Sequence, residues 1–294
     1  MKKTWIAIGV TAFLGIVLML SGFAMGADLG GFYLSKKGLR LNSMDYEIIK
    51  ENDLGDIKRI EVNVSSIDVR FVTAETFGFE FRGVNNGRFS YSSEGGILRI
   101  NEKPVFNLNF LDFTWEAEFL EIYVPEGAEL DLVVIISASG NLNINRLNTK
   151  TFEAKVYSGD CLFNNLVSND ISINTLSGNV DLSNAKAQTV YIDMKSGDVI
   201  VRNLEAGNLK MNVLSGNVNV AGKIDGNIDV ESTSGDVDLN LKGREQDYNR
   251  DIRVLSGDVR VNGNRNSTGT VNFSAAYNLR IKTLSGNVEV NFTE

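Results

Sequence analysis

The sequence predicts an all-β protein, a single-coil β-solenoid of roughly 19-residue repeats with an irregular β region and one transmembrane helix before it. Three observations predict this fold class. A Ser-Gly-Asn/Asp tripeptide recurs at nearly constant spacing, apolar residues alternate with polar ones around it, and the composition favours turns. Of the 294 residues, 33 are asparagine and 28 are glycine, whereas only 2 are proline. This composition suits short strands joined by tight turns.

The composition also limits the chemistry that is available. The chain has no histidine, which excludes a Ser-His-Asp triad, a histidine base and a histidine-containing metal site. Its one cysteine, Cys161, excludes a disulfide framework and a cysteine-based zinc or iron–sulfur site. The net charge of −8 divides into +4 for residues 1–40 and −12 for the remainder. An acidic body disfavours nucleic acid, whose phosphates require a basic surface.

Residues 1–27 are predicted to be a transmembrane helix that acts as a signal anchor. Residues 4–27 carry no charge, and their apolar centre at 5–24 has about the 20 residues that cross a bilayer. Two lysines precede it, so the positive-inside rule places the N-terminus in the cytoplasm. A cleaved signal peptide, with a small-x-small site at 24–26, and a buried soluble helix are the alternatives. The predicted location is the cell membrane, with a single pass and an extracytoplasmic body.

Residues 28–57 are predicted to be a tether, and residues 58–136 an irregular β region that caps the solenoid. Arg59–Val64 alternates cleanly, and Ser66–Phe71 resembles a decayed copy of the repeat. An aromatic-rich stretch follows; we expect it to pack in the core, with a ligand-binding platform for glycan or membrane as the alternative. Its aromatic residues are Phe106, Phe110, Phe113, Trp115, Phe119 and Tyr123.

Residues 137–294 are predicted to be the solenoid. The tripeptide begins at eight serines whose successive spacings are 19, 19, 19, 19, 19, 22 and 29. These are Ser139, Ser158, Ser177, Ser196, Ser215, Ser234, Ser256 and Ser285. After each glycine, apolar residues occupy alternate positions, as at Val199 and Val201. A second alternating strand begins 13 to 15 residues after each serine, as at Ile171 and Ile173. The alternation indicates strands with one buried face.

Each repeat is therefore interpreted as two short strands joined by two turns, one at Ser-Gly-Asn/Asp and one looser. A unit of this size cannot bury its own apolar face, so stacked copies are expected to form one continuous core. Cys161 occupies an inward position and is expected to be buried as a small apolar residue. The chain ends at the strand Val288–Phe292, which is expected to be an open edge that invites strand addition.

The N-terminal anchor, the segment Val124–Gly127 followed by a strand, and the reiterated Ser-Gly-Asp/Asn-Val together carry a resemblance. The chain resembles the bacterial "putative adhesin" family, a domain of unknown function with β-strand repeats. The resemblance covers roughly residues 58–294 and implies a surface-exposed, non-catalytic β protein. Some relatives resemble membrane-anchored proteins of cell-envelope stress systems. The family has no established active site, so the resemblance assigns no functional residue.

Two kinds of site are alternatives to plain turn chemistry. A calcium site is disfavoured because half of the residues after the repeat glycines are neutral and the nine-residue repeat of calcium-binding β-rolls is absent. Those residues are Asn141, Asp160, Asn179, Asp198, Asn217, Asp236, Asp258 and Asn287. A glycosidase or polysaccharide lyase requires two carboxyl groups in a cleft. The outward candidates for that pair are Asp193, Asp229, Glu231 and Asp238.

The sequence therefore predicts a non-catalytic, membrane-anchored extracytoplasmic protein that acts as a binding, adhesin-like or scaffold module of the cell envelope. A regulatory partner of a membrane envelope-stress sensor and a carbohydrate-active solenoid enzyme are the alternatives. The expected partners are a cell-envelope component or membrane protein and the membrane itself, with self-association through the C-terminal solenoid edge and no nucleic acid. No catalytic, metal-binding or cofactor-binding residue is assigned, no cofactor is expected, and the sequence leaves the binding residues unknown.

Overall fold

The computed structural model describes residues 32–35, 38–41, 46–85, 87–103, 118–266 and 268–293. These residues group into two compact units, of which the smaller contains the short strands near residue 40 and the stretch 83–85. The larger unit holds the solenoid. Within the described ranges, no helix is long and apolar enough to span a membrane. The predicted transmembrane segment, residues 1–27, lies outside them.

The structure is built almost wholly from strands. In the first half these are β1 (Phe32–Ser35), β2 (Gly38–Leu41), β3 (Tyr46–Asn52), β4 (Arg59–Val64), β5 (Asp68–Ala74), β6 (Gly78–Val84), β7 (Phe89–Glu94), β8 (Ile97–Glu102), β9 (Phe119–Pro125), β10 (Leu130–Ser137), β11 (Leu142–Ile144), β12 (Leu147–Ser158) and β13 (Cys161–Asn164). The second half contains β14 (Leu166–Ser177), β15 (Val180–Ser183), β16 (Lys186–Ser196), β17 (Val199–Ser215), β18 (Val218–Ile224), β19 (Ile228–Ser234), β20 (Val237–Lys242), β21 (Tyr248–Ser256), β22 (Val259–Val261), β23 (Asn264–Asn266), β24 (Gly269–Val271), β25 (Tyr277–Ser285) and β26 (Val288–Thr293). One 3₁₀ turn, Glu245–Asp247, precedes β21.

The strands stack as parallel coils, and in coils 3 to 10 a longer strand is followed by a Ser-Gly-Asn/Asp corner and a shorter strand. In spatial order the pairs are coil 1 (β8, β9), coil 2 (β4, β5), coil 3 (β10, β11), coil 4 (β12, β13), coil 5 (β14, β15), coil 6 (β16, start of β17), coil 7 (rest of β17, β18), coil 8 (β19, β20), coil 9 (β25, β26) and coil 10 (β21, β22). Residues one repeat apart face each other, as Ile171, Val190 and Leu209 do. The predicted all-β fold with a solenoid-like repeat is thereby confirmed.

Coils 4 to 8 have three β segments each, whereas the sequence predicted two. In β14 the alternation of buried and exposed residues is interrupted by two exposed residues, Asn169 and Asp170, which divide the strand in two. The corner before it is a single left-handed asparagine, Asn165, repeated at Asn184 and Asn203 with φ between 51° and 54°. The predicted looser turn is therefore a β segment with its own short ladder. Its few apolar residues and its asparagines gave it the composition of a turn.

Spatial order departs from chain order at the C-terminal end. β25 lies between β19 and β21, and β26 lies between β20 and β22. The last segment of the chain thus forms coil 9, inside the stack, while residues 248–261 form coil 10 beyond it. The prediction that Val288–Phe292 is an open edge is wrong, because the chain passes one coil outward and then returns to fill the space. The predicted self-association lacks the free C-terminal strand on which it was based.

Antiparallel strands cover parts of both ends of the stack. β24 pairs with β21 at Arg250–Ile252, and β23 pairs with β22 at Val259–Val261. At the other end β6 pairs antiparallel with β9, and β7 pairs antiparallel with β8. A reversed strand breaks the parallel register, so it opposes the addition of a further coil.

The core is one continuous stack of inward side chains. Phe152 and Phe163 pack edge to face across coil 4, with ring centroids 5.2 Å apart. Cys161 is a buried free thiol, as predicted, and burial raises its pKa to about 12. The sulfur therefore contributes apolar packing and stays protonated at neutral pH.

The N-terminal region joins the same stack. Val69 and Phe71 face Leu142 and Ile144 in register, so the decayed copy of the repeat predicted at 66–71 is confirmed. The segment predicted as a tether contains β1, β2 and β3, and the boundary predicted at 136/137 falls inside β10.

Among the aromatic residues predicted to pack in the core, those from 106 to 115 lie outside the described ranges. The prediction is wrong for Tyr123 and Phe119, which both lie on the outward side of β9. The Phe119 ring is 5.3 Å and 5.4 Å from the guanidinium carbons of Arg70 and Arg82. Cations stack on an exposed aromatic face, which accounts for its position outside the core.

Candidate functional site

The Ser-Gly-Asn/Asp corners form one straight column along the stack. Gly197 has φ +129°, and a Cβ placed on it would lie 2.1 Å from the carbonyl oxygen of Gly178 in the coil before. Glycine is needed there both for the backbone conformation and for the close approach of the next coil. In coil 2, the first coil with this corner, Ile67 replaces glycine, and its carbonyl oxygen is the atom that a Cβ on Gly140 would meet.

The residue after each glycine links the coils by a side-chain ladder. Its Oδ1 accepts the backbone N–H of the matching residue in the next coil at 2.7–3.0 Å. In spatial order the column is Asp68, Asn141, Asp160, Asn179, Asp198, Asn217, Asp236, Asn287 and Asp258. Aspartate and asparagine alternate without exception. Carboxylates in the column are therefore two coils apart, about 9.6 Å, and no two are direct neighbours.

Charged side chains close this corner column at both ends. At the start the buried carboxylate of Glu102 accepts the backbone N–H groups of Ser65 and Ser66, at 2.8 Å and 3.3 Å. At the finish the guanidinium of Arg265 donates to Oδ1 of Asp258 at 2.6 Å. Glu102 at the end of β8 and Arg265 in β23 therefore supply side-chain hydrogen bonds at the two ends of the column.

An exposed apolar ridge runs beside this column. It consists of the residues that precede the corner serines, where two successive side chains point outward. The ridge residues that are large and apolar are Tyr157, Leu176, Leu214, Leu284 and Leu255, which are 57%, 48%, 52%, 55% and 81% exposed. Lys195 and Thr233 occupy the same position in coils 6 and 8. A line of exposed leucines on a soluble surface is typical of an interaction site.

A groove follows the ridge on the face of the longer strands. Its volume is about 660 Å³, and it extends from coil 6 to coil 10. Leu214, Leu284 and Leu255 form one wall, and Thr268 and Gly269 line the groove at the end that lies on coil 10. A smaller groove of about 260 Å³ continues along Tyr157 and Leu176.

The acids predicted as enzyme candidates lie on the outer faces and are mostly paired with cations. Arg280 donates to Asp229 at 2.8 Å and to Glu231 at 2.6 Å, which joins coils 8 and 9. Asp193 accepts from Lys195 at 3.3 Å. Asp193 and Glu231 both line the groove, two coils apart. These ion pairs join residues of neighbouring coils or of one strand.

Asp238, the fourth candidate, has a different environment. It faces Glu289 in the neighbouring coil, on the face of the shorter strands. Burial and this second carboxylate raise the pKa of Asp238. The structure thus separates the four acids: three lie on the longer-strand face, and Asp238 lies on another.

The ladder also gives the repeat aspartates a definite role. Each uses Oδ1 to accept a backbone N–H, as Asp160 does for Asn179 at 2.8 Å. In the described part of the chain, no group of three or more carboxylate, thiol or imidazole side chains is arranged to hold a metal ion. The observed contacts are those of turn chemistry.

A comparison with protein families matches the toastrack model, DUF4097, over residues 57–291. The chain belongs to this family. The expected membership in an adhesin-like family of unknown function is therefore confirmed. The toastrack match spans the coils, the corner column and the ridge, and leaves the segment before residue 57 outside it. No curated protein matches the chain.

Solved structures with a similar arrangement include two described as a "putative adhesin". The one from Bacteroides fragilis is 13% identical with a TM-score of 0.45, covering 83% of this chain and 97% of that one. The one from Parabacteroides distasonis is 11% identical with a TM-score of 0.47, covering 85% and 98%. A "putative lipid binding protein" from Parabacteroides distasonis is 13% identical with a TM-score of 0.31, covering 86% and 98%. Family membership rests on the sequence match over residues 57–291.

Sequence reasoning missed the ridge. The signal was present, because leucine directly precedes the Ser-Gly-Asn/Asp tripeptide at Leu176, Leu214, Leu255 and Leu284. Period-two alternation assigns that position to neither face, since the corner places two successive residues outside. An apolar residue there is therefore exposed although the strand before it alternates correctly.

Proposed function

We propose that this toastrack protein is a non-catalytic binding module of the cell envelope, and that it engages its partner through the apolar ridge and the adjoining groove. The observation that carries the proposal is the line of exposed leucines beside a 660 Å³ groove. Exposure of such a line costs solubility, so a partner that covers it accounts for its presence. The paired acids and the absence of histidine support a role without catalysis.

The proposal includes the location. The uncharged run at residues 4–27 and the lysines before it support a single-pass anchor with the toastrack body on the outer face. Protease added to intact cells stripped of their wall tests this placement. The body should be degraded in intact cells, and a cytoplasmic marker should survive. Survival of the body until the membrane is lysed would refute the placement.

Photo-crosslinking in cells tests the binding role. A photoreactive residue replaces Leu214 on the ridge or, as the control, Val167, which is 44% exposed on another face. We expect a discrete crosslinked product at position 214 and none at 167. Equal crosslinking at both positions, or none at either, would refute binding through the ridge. The crosslinked product also separates a membrane sensor from a structural envelope component.

A further inference from the structure

The outer surface repeats every two coils. Leucine accompanies asparagine in coils 5, 7 and 9, as at Leu214 and Asn217. Aspartate occupies the corner in coils 6 and 8, where the ridge residues are Lys195, which is paired with Asp193, and Thr233. From coil 5 to coil 9, leucines on the ridge and carboxylates beside it therefore each recur about every 9.6 Å along the axis. A seven-residue helical repeat rises about 10.5 Å, close to the same period.

The backbone of the groove floor selects the kind of partner. In coils 6 to 9 each strand already pairs with a coil on both sides, so the floor offers no free peptide groups. An extended peptide lying along the axis would leave its own N–H and C=O groups without strand partners there. A helix satisfies its own backbone and presents only side chains, so it suits this surface better.

The charges beside the ridge indicate which side chains the flank of that helix carries. Asp160, Asp198 and Asp236 form no ion pair with any residue that the structure describes. On the opposite side of the ridge, Asp193 and Glu231 are paired with lysine or arginine. A net negative charge thus borders the ridge on its corner side, and a basic helix flank complements it.

We propose that the ridge and groove bind a basic amphipathic helix of a partner protein, lying along the solenoid axis; this rests on the binding role proposed above. The helix places leucine-like side chains against Leu214 and Leu284 and lysine or arginine toward Asp198 and Asp236. From coil 4 to coil 10 the surface extends about 29 Å, which corresponds to about 19 helical residues.

The test is fluorescence anisotropy with a labelled 21-residue peptide that carries leucine at the first and fourth positions of each heptad and lysine beside them. A matched peptide has glutamate in place of lysine. The full chain is used in an uncharged detergent, so peptide partition into micelles is the same for every variant. We expect saturable binding of the lysine peptide, and at least about tenfold weaker binding of the glutamate peptide.

Two sets of variants separate the apolar and the charged contributions. Leu176→Ser, Leu214→Ser and Leu284→Ser together should abolish binding, whereas Leu162→Ser with Val167→Ser, on other faces, should not alter it. Asp160→Asn, Asp198→Asn and Asp236→Asn together keep every Oδ1 acceptor of the ladder and remove only charge. They should weaken binding about tenfold at low salt, and less at high salt.

Removal of three carboxylate charges away from the ridge is the control for the aspartate variant. Glu75→Gln, Glu94→Gln and Glu129→Gln, at exposed positions away from the ridge, should leave the affinity unchanged. Equal binding of the two peptides, or full binding by the leucine variant, would overturn the helix proposal. A ridge-dependent dimer that binds neither peptide, seen by sedimentation, would also overturn it. In these cases crosslinking at position 214 in cells still decides the binding role separately.

Discussion

The backbone N–H of Asn287 donates a hydrogen bond to Oδ1 of Asp236 at 2.7 Å, although the two residues are 51 positions apart in sequence. Asn287 in turn accepts the backbone N–H of Asp258 at 3.0 Å. In chain order Asp236 and Asp258 follow each other, which breaks the alternation of aspartate and asparagine. In space Asn287 separates them and restores it. The charge pattern of the corner column therefore agrees with the exchanged order of coils 9 and 10.

A first prediction concerns this pattern. Asn287→Asp would place three carboxylates on successive coils about 4.8 Å apart. At that distance each exposed pair of like charges costs about 1 kcal/mol, and the cost falls with salt. We expect a lower free energy of unfolding in denaturant titrations at low ionic strength and partial recovery at 1 M salt.

Compensating changes provide the control for that variant. Asp236→Asn and Asp258→Asn, added to Asn287→Asp, leave a single carboxylate among the three corners. The triple variant should regain most of the stability of the parent chain, since every Oδ1 acceptor is retained and only the exposed ion pair of Asp258 with Arg265 is lost. Equal stability of the single variant and the parent at low salt would show that charge spacing has no role.

A second prediction concerns the stacked glycines. Gly197→Ala combines a positive φ with a Cβ 2.1 Å from the carbonyl oxygen of Gly178. Backbone strain of about 1 kcal/mol and overpacking of about 1–3 kcal/mol should together lower the free energy of unfolding. Gly55→Ala is the control, because Gly55 has φ +74° and a Cβ placed on it would have no atom within 4 Å. It should lose only the strain contribution, and an equal loss at both sites would contradict the stacking argument.

A third prediction concerns the removal of coils. Deleting Ser177–Lys195 removes one repeat and brings Asp160 next to Asp198 in the corner column. Deleting Ser177–Leu214 removes two repeats and leaves Asp160 next to Asn217. We expect both chains to fold as shorter stacks, since each coil contacts only its neighbours. The two-repeat deletion should have the higher thermal midpoint at low salt, although it removes more of the core.

Restoring the alternation of aspartate and asparagine tests whether adjacent carboxylates lower the thermal midpoint of the one-repeat deletion. Asp198→Asn in the one-repeat deletion should raise its thermal midpoint, whereas the same substitution in the complete chain should have little effect. Global unfolding of both deletions, detected by circular dichroism, would instead indicate that the coils do not stack independently.

The sequence predicted what depends on local periodicity. Alternation at Val199 and Val201 identified the inward face of a strand, and the glycine of each tripeptide identified a corner with positive φ. It did not predict the exchanged coils, because the strand alternation of 248–261 and of 277–293 is alike, and only the corner residues Asp258 and Asn287 distinguish the two segments. The third β segment was also missed, since Asn165 carries the signal of a turn. The ridge depends on corner geometry, which periodicity alone does not contain.

A fourth prediction concerns pH. Burial and the facing carboxylate of Glu289 raise the pKa of Asp238 above that of an unfolded chain. The folded state therefore binds this proton more tightly, so ionisation of Asp238 lowers stability as the pH rises through its pKa. Asp238→Asn should raise the free energy of unfolding at pH 7 by about 0.5 kcal/mol or less, because solvent screens a partly exposed group.

The rise in the free energy of unfolding caused by Asp238→Asn should disappear below the ordinary aspartate pKa of about 3.9, because Asp238 is then protonated in both the folded and the unfolded state. Asp181→Asn is the matched control on the same face. Arg202 pairs with Asp181 at 2.5 Å, so removal of the Asp181 charge should not raise the free energy of unfolding. A gain at Asp238 that persists at pH 3 would indicate packing as its cause.

A fifth prediction concerns the order in which coils open. Coil 4 is held between two neighbours, so the thiol of Cys161 should react with an alkylating reagent only when the stack unfolds. Its pKa of about 12 further suppresses the reactive thiolate. Labelling in a series of denaturant concentrations should therefore give the same free energy as global unfolding.

New cysteines then distinguish coil 9 from coil 10. With Cys161→Val as background, Val290→Cys lies in coil 9 and Val261→Cys in coil 10, both at buried positions. Opening of coil 10 breaks one parallel interface, whereas opening of coil 9 breaks two. Position 261 should therefore be labelled faster than position 290, although 290 is nearer the end of the chain. Faster labelling at 290 would mean that the C-terminal segment opens first, as expected of a strand at the edge of the stack.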